Sequence, residues 1–442
     1  MSDHESILAN LPDDWNEATI EDLGAVVSGG TPSREIASFW GGKIPWVTPG
    51  EVTTLKRKTL RLTNESITDE GLRQSGANLL PTGSLLVTTR ASLGYCVINS
   101  IPVTTNQGFK SIVFRQSSNP DFYYHWARKI STELKRRASG TTFLEISSSD
   151  FKQIKLPVPP SAEQQKIAQI LDTLDTQIQN TEALIAKLEN IKKGLLHDLL
   201  TRGIDQNGQL RPTSEQAPEL YKESALGLIP KEWLGTKLGT YISDHEGLIQ
   251  TGPFGSQLHA EEYVSQGVPV VMPQDIRHIS ISRSNIAQIT EKRARDLARH
   301  RLLEGDLVFS RRGDLSRCAY VQRDNEGWVC GTGCLLLRAP IGTIDTYWLS
   351  NLYKLHSIQS QVYGMAVGST MVNLNSKILA QLEIGIPSYR EQCLIATAIS
   401  SIESRLQRET NSLRKLTAQK TGLMDDLLTG RVRVTPLLKD AV

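Results

Sequence analysis

The chain has 442 residues, 39% of them hydrophobic and 22% charged. That length exceeds one ordinary core and points to roughly two to four domains, while the composition excludes disorder on a large scale. Formal net charge is +2, from 49 basic and 47 acidic residues, which excludes a simple polycationic binder and confines any nucleic-acid face to a local patch.

The first ten residues mix Asp3, His4 and Glu5 with a few apolar side chains, so no signal peptide is expected. No stretch approaches the ~18 uncharged apolar residues of a membrane helix, and a cytoplasmic protein without membrane contact is expected. Five cysteines, an odd number spread over a long chain, argue for a reducing compartment rather than a disulfide framework. Cys330 and Cys334 lie close together, but no histidine or second cysteine pair follows at zinc-ligand spacing, so neither metal nor cofactor is expected in this chain.

Residues 1–157 hold short apolar and β-branched runs, such as Ser84 to Thr89 and Ser111 to Phe114, broken by Gly, Pro and Ser turns. They predict a mostly-β module with a few helices. One helix is predicted from Pro120 to about Arg137, with Asn119 as cap and Pro120 in the first turn.

Across 158–204 the period changes to that of a helix, with a heptad seam of Ile167, Leu171, Leu174, Ile178, Ile185, Leu188, Leu195 and Leu199. Pro157, Pro159 and Pro160 precede it, Ser161 is placed to cap it, and Glu163 and Gln164 fall in its first turn. About 40 residues rising 1.5 Å each make a rod of roughly 60 Å. Residues 205–228 read as a linker, and 229–386 as a second module with a helix near Ile344 to Tyr363. A second rod, 387–434, carries the seam Ile395, Ile399, Ile402, Leu406, Leu413, Leu416, Leu423 and Leu427. A lone amphipathic rod would leave its seam wet, so the two rods are expected to pair, the second running back antiparallel.

These parts are two copies of one unit. Leu11-Pro12-Asp13-Asp14-Trp15 is echoed by Ile229-Pro230-Lys231-Glu232-Trp233, Ile44-Pro45-Trp46-Val47-Thr48-Pro49 by Val268-Pro269-Val270-Val271-Met272-Pro273, and Gly83-Ser84-Leu85-Leu86-Val87 by Gly305-Asp306-Leu307-Val308-Phe309. Arg90, Leu93 and Cys96 match Arg312, Leu315 and Cys318 at a shared offset of 222. From Gly140-Thr141 and Gly368-Ser369 the offset locks at 228 through both rods, where seven of the ten residues from Lys192 to Thr201 are identical to those from Lys420 to Thr429. Both seams turn polar at the same two places, Thr181 with Glu409 and Lys192 with Lys420, as a register device would. Divergence concentrates around Glu51 to Leu80 and Asp275 to Leu303, where two readers of different targets would differ.

Several stretches together resemble the specificity subunit of type I restriction-modification systems, over essentially Leu11 to Val434. They are Ser28-Gly29-Gly30-Thr31-Pro32-Ser33-Arg34, Thr105-Asn106-Gln107-Gly108-Phe109, Thr251-Gly252-Pro253-Phe254-Gly255-Ser256, and Leu156-Pro157-Val158-Pro159-Pro160 with Glu163-Gln164. The second copy departs from the pattern at Gly331-Thr332-Gly333-Cys334 and at Ile386-Pro387-Ser388. The resemblance implies an α+β protein with two mostly-β target-recognition domains joined by a pair of long antiparallel coiled-coil helices, an internal pseudo-twofold repeat. It implies a non-catalytic subunit that reads an asymmetric split target on double-stranded DNA. It further implies docking of two methylation subunits and a restriction (motor and nuclease) subunit.

Reading bases takes long polar side chains in the major groove, and phosphate contacts add salt-dependent affinity. The candidates in the first module are Thr31, Ser33, Arg34, Lys43, Lys56, Arg57, Lys58, Arg90, Gln107 and Lys110. In the second they are Ser256, Gln257, Arg277, His278, Arg283, Arg311, Arg312 and Arg317. Arg90 and Arg312 stand out because each follows a predicted strand at a loop tip. Half-sites on successive turns would lie roughly 34 Å or a multiple apart, with the rods as ruler.

Other readings compete less well. Cys330-Gly331-Thr332-Gly333 superficially resembles a methyltransferase cofactor loop, but no helix-period segment follows it and no Asn-Pro-Pro or Asp-Pro-Pro occurs. Pro120-Asp121 with Glu133-Leu134-Lys135 superficially resembles a paired-acid nuclease, but both carboxylates fall on a predicted helix. A coiled-coil scaffold that binds protein instead of DNA, and the specificity subunit of a related bipartite-site restriction-methylation enzyme, are the alternatives that remain.

Overall fold

The computed structural model describes residues 3–139, 144–254, 257–277, 280–366 and 372–439. The chain forms two compact units: Met1–Leu184 with Glu409–Val442, and Ile185–Arg408. Each unit therefore contains one module and a part of each rod.

In unit one the larger sheet has five strands in the order Gly24–Ser28, Phe109–Phe114, Leu85–Thr88, Cys96–Asn99 and Thr59–Leu60, the last joined in parallel. A smaller sheet sets Trp40–Val47 between antiparallel Glu65–Ile67 and parallel Thr104–Thr105. The run Leu85-Leu86-Val87-Thr88 is buried at every position because the sheet is covered on both faces. Leu85 and Val87 join the core that contains the helix Pro120–Lys129 and rod residues Ile167, Leu171, Leu427 and Leu428, while Leu86 joins the core under the smaller sheet. Each such side chain taken fully out of water contributes about 1.5–3 kcal/mol.

Unit two repeats the plan. Its larger sheet runs Leu248–Thr251, Cys334–Arg338, Leu307–Ser310 and Cys318–Tyr320. Its smaller sheet again ends in a parallel pair, Val268–Val271 with Val329–Cys330. Leu307 and Phe309 face the core shared with rod residues Leu199, Ile395 and Ile399, and Val308 faces the opposite core. All five cysteines are free, and burial pushes Cys330 up to about 12 and Cys334 well above the ordinary thiol range, which keeps them as neutral thiols.

The rods are single helices, Ser161–Thr201 and Tyr389–Leu427, and they run antiparallel within each unit. In unit one Lys420 donates to Asp175 and Arg433 to Glu163; in unit two Lys192 donates to Glu403 at 2.5 Å and Arg211 to Glu391. The two lysines that interrupt the seams thus each meet an acid of the opposite rod, and Asp175 and Glu403 themselves sit at the 228 offset. Every seam residue is buried or half-buried.

Four local expectations change. Ser161 lies inside the first helix; the Pro160 carbonyl accepts from the Glu163 and Gln164 amides (2.9 and 3.0 Å), and in the second rod the Ser388 hydroxyl accepts from the Glu391 amide (3.3 Å). The helix expected over 120–137 is two helices, Pro120–Lys129 and Ser131–Arg137, meeting at Ile130. Asn119 does cap the first, accepting from the Asp121 amide at 2.9 Å. The helix expected near 344–363 likewise resolves into Thr346–Leu352 and His356–Ala366. The stretch 205–228 is more than a tether: it holds Tyr221–Ser224, which pairs with Gly227–Pro230, and it brings the buried Arg211 into unit two. In the stretch 205–228 the reason is tertiary, since Arg211 finds its partner Glu391 180 positions away.

Candidate nucleic-acid interface

The Glu-Gln pair that opens each rod holds module and rod together. Gln164 accepts from the Asn119 amide (2.9 Å) and donates to the Pro159 carbonyl (2.8 Å); Gln392 accepts from the Asp345 amide (2.8 Å) and donates to the Pro387 carbonyl (2.9 Å). Glu163, 1% exposed, takes Arg433, which also grips Asp14 at 2.6 and 2.7 Å. Glu391 takes Arg211, which also grips Glu232 at 2.7 Å. Asp14 and Glu232 are equivalent residues of the repeat, so both units are closed by the same three-residue clamp. With the sheets fixed in this way, the loops beyond them can differ without disturbing the frame.

Those loops carry half of the candidates in unit one. Gly29 approaches so closely that a Cβ there would lie 1.9 Å from the Asn106 carbonyl oxygen, and its counterpart Gly252 would meet the Gly331 oxygen at the same distance. This packing explains the glycine in both motifs and brings Thr31 to Gln107, to whose Oε1 it donates. The Thr89 amide donates to the Gly108 carbonyl at 2.8 Å, placing Arg90 beside Gly108, the residue after Gln107. Arg90 follows the strand Leu85–Thr88 and precedes Ala91 in the left-handed region (φ 59°); Arg312 follows Leu307–Ser310 and precedes Gly313 (φ 75°). Both arginines therefore stand on the same tight turn, and both are exposed.

Around this shared turn the chemistry diverges. In unit one Glu145 lies 3.5 Å from Arg90 and 3.8 Å from the buried Lys110. Arg34 is stacked 3.7 Å over Trp40 and held by Glu65 through two bonds of 2.8 and 2.7 Å, with the Ser33 carbonyl accepting from Trp40 Nε1 at 3.0 Å. The Arg34 guanidinium holds the Glu65 carboxyl below its usual range.

Unit two instead gathers arginines. Arg311 donates its amide to the Gly333 carbonyl (2.9 Å) and its Nε to the Leu374 carbonyl (3.3 Å). Burial, then the neighbouring Arg312, hold it below the ordinary arginine range. Arg317 bonds Asp314 and the Pro273 carbonyl (3.3 and 3.2 Å), and with Arg277 and Lys354 it lines a depression of about 400 Å³. No ion pair involves Arg312 among the described residues.

Other candidates sit apart from these loops. Lys58 bridges Asp121 and Asp172 (2.6 and 2.5 Å), and the Lys56 carbonyl accepts from Gln179 (3.1 Å), so the segment Lys56-Arg57-Lys58 lies against the first rod. Lys43 is exposed on the smaller sheet. The Gln257 carbonyl takes Arg293, and Arg283 bonds the Asp324 carbonyl (2.8 Å) beside Trp328. Ser256 and His278 lie outside the described residues. Reading the sequence missed the acids Glu65, Glu145 and Asp314, because only the fold brings them to the arginines.

One group has metal-like spacing: ligand atoms of His125, Asp172 and Asp175 lie within 4.8 Å of one another. Lys58 and His125 already hold Asp172, and Lys420 holds Asp175. Two ammonium groups stand where a cation would, and the cluster ties unit one's module to its rods. No helix among the described residues is long and apolar enough to cross a membrane.

A family model described as the type I restriction modification DNA specificity domain matches residues 12–190 and 264–418. The chain is 32% identical over 245 residues to the type I restriction enzyme MjaIX specificity subunit of Methanocaldococcus jannaschii, a match spanning 55% of this chain and 55% of that relative. It is 22% identical over 439 residues to the MjaVIII specificity subunit of the same organism, covering 97% of this chain and 95% of the relative. Its fold is similar to a crystal structure of a type I restriction-modification S subunit from M. genitalium, with a TM-score of 0.56, 18% identity, and coverage of 95% and 96%.

Proposed function

Because the chain belongs to the type I restriction-modification DNA specificity family, we propose that it is the sequence-reading subunit of such a complex, each unit taking one half of an asymmetric split duplex target. The observation that carries this is the contrast between a repeated frame and unlike loops. Sheet order, clamp and rod pairing recur in both units, while Lys110 and Glu145 of unit one correspond by register to Leu335 and Asn373 of unit two. A difference of charge at equivalent positions beside the shared arginine turn is what two half-sites of different sequence require.

In this reading Arg90 and Arg312, with Gln107 in unit one and Arg311, Arg317 and Arg277 in unit two, face the duplex. The chain makes and breaks no bonds itself; two methylation subunits and a restriction subunit join it. The first rod offers such partners an exposed polar face at Gln165, Gln169, Thr173 and Thr176.

Methylation profiling of the whole host genome, with and without this chain, tests the proposal. The expected result is a two-part motif with a fixed spacer that is methylated only when the chain is present. A profile indifferent to the chain would reject it.

A further inference from the structure

We infer that Arg34 and Glu65 together read one G·C base pair in the major groove of the half-site taken by unit one, with Trp40 as the platform that fixes the guanidinium. This rests on the function proposed above and assigns a base-pair class to one of its two readers.

Arg34 lies 3.7 Å over the Trp40 ring and 5.0 Å from that of Trp46, and its Nη1 and Nη2 face the two Glu65 oxygens. That leaves the Nε–H edge, for which the described residues supply no partner. Both side chains reach solvent, at 54% and 39% exposure. The pair is thus rigid, accessible and half-satisfied, and stacking on an aromatic face removes much of the freedom an arginine would otherwise lose on binding.

Charge decides what it fits. A phosphate approaching Arg34 would also approach the Glu65 carboxylate, so the paired unit is poorly suited to an anion. The major-groove edge of a G·C pair is neutral and offers both complements: O6 and N7 of guanine accept from an arginine edge, and N4–H of cytosine donates to a carboxylate. The exposed Thr31–Gln107 hydrogen bond lies on the same loop, three residues before Arg34. At the equivalent place unit two lacks the acid, since Ala287 stands opposite Val270 where Glu65 stands opposite Trp46. The reader belongs to one half-site only.

The test uses the full chain co-expressed with its methylation partners, comparing the methylation profiles of the unaltered protein, Arg34→Lys and Glu65→Gln. Lysine keeps the charge but loses the planar edge, and glutamine keeps the size of Glu65 but not its charge. Each substitution is expected to relax one G·C position of one half-site, with discrimination falling roughly 5- to 150-fold, while the other half-site and the spacer stay unchanged. Uniformly weaker methylation with no change of motif would mean a backbone anchor and overturn the inference. An unchanged motif in both variants would mean that the pair only ties the loop to the sheet, and would overturn it too. If the unaltered protein directed no two-part motif, the function proposed above would fall first and this reader with it.

Discussion

Unit one and unit two share a frame and differ in what they do with charge. In unit one two exposed candidate arginines are matched with acids, Arg34 with Glu65 and Arg90 with Glu145. In unit two Arg311 and the exposed Arg312 make no ion pair among the described residues, while Arg317 pairs with Asp314 and lines one depression with Arg277. The first arrangement suits discrimination between neutral base edges. The second carries net positive charge and suits phosphates, whose contribution falls with added salt. One duplicated scaffold can therefore divide its labour, provided that the frame is insensitive to the loops.

The largest effects should come from breaking that frame. Arg433→Ala leaves the Glu163 carboxylate buried without its cation, and Arg211→Ala does the same to Glu391, which keeps the Ile204 amide and the Trp233 indole as donors; each is expected to cost about 3–5 kcal/mol in its own unit. Hydrogen exchange should register the first around Trp15 and Leu428 and the second around Trp233 and Ile395. If either variant loosened both units equally, or neither, the equivalence of the two clamps would be wrong.

Smaller effects should come from the loops. Arg312→Ala and Arg90→Ala are each expected to weaken DNA binding by the complete complex by about 1–3 kcal/mol. Arg312→Ala should also flatten the salt dependence, having no described acid to compensate it, and Arg90→Ala should do so less because Glu145 already offsets its charge. Titrations at two salt concentrations decide this; equal salt slopes would remove the contrast between the units.

The smallest effect concerns pH. Burial, opposed by Asp172, holds His125 below the ordinary imidazole range. The unfolded chain then takes up its proton first, so the stability from neutral His125 is present above about pH 6.5 and is lost as pH falls below it. Unit two has Asn351 at the corresponding place, and buried His300, also held low by burial, adds a like term there. His125→Asn should reduce, without abolishing, the loss of melting temperature between pH 7 and pH 5, conditions chosen on that basis. An unaltered slope would show that His125 does not contribute.

Much of this was legible beforehand. Heptads from Ile167 to Leu199 and from Ile395 to Leu427 announce rods because helix periodicity is a local property. The matched offsets announce a repeated module, and the tight turn under Arg90 and Arg312 follows from strand ends that recur 222 positions apart. The candidates that moved, Lys56 to Lys58, did so because Asp121 and Asp172 draw the segment onto a rod that begins about a hundred residues later in the chain.

By itself, then, the sequence determined the duplication, the rods, and the family to which its motifs point, because these lie in short-range pattern and residue identity. Tertiary structure alone decided which charges meet. Arg433 reaches Asp14 across 419 positions and Arg211 reaches Glu391 across 180, and no local pattern encodes such a pairing. The same holds for Arg34 with Glu65 and Arg90 with Glu145. A side chain's chemistry is written in its type, but whether it is free to touch DNA depends on which opposite charge the fold sets beside it.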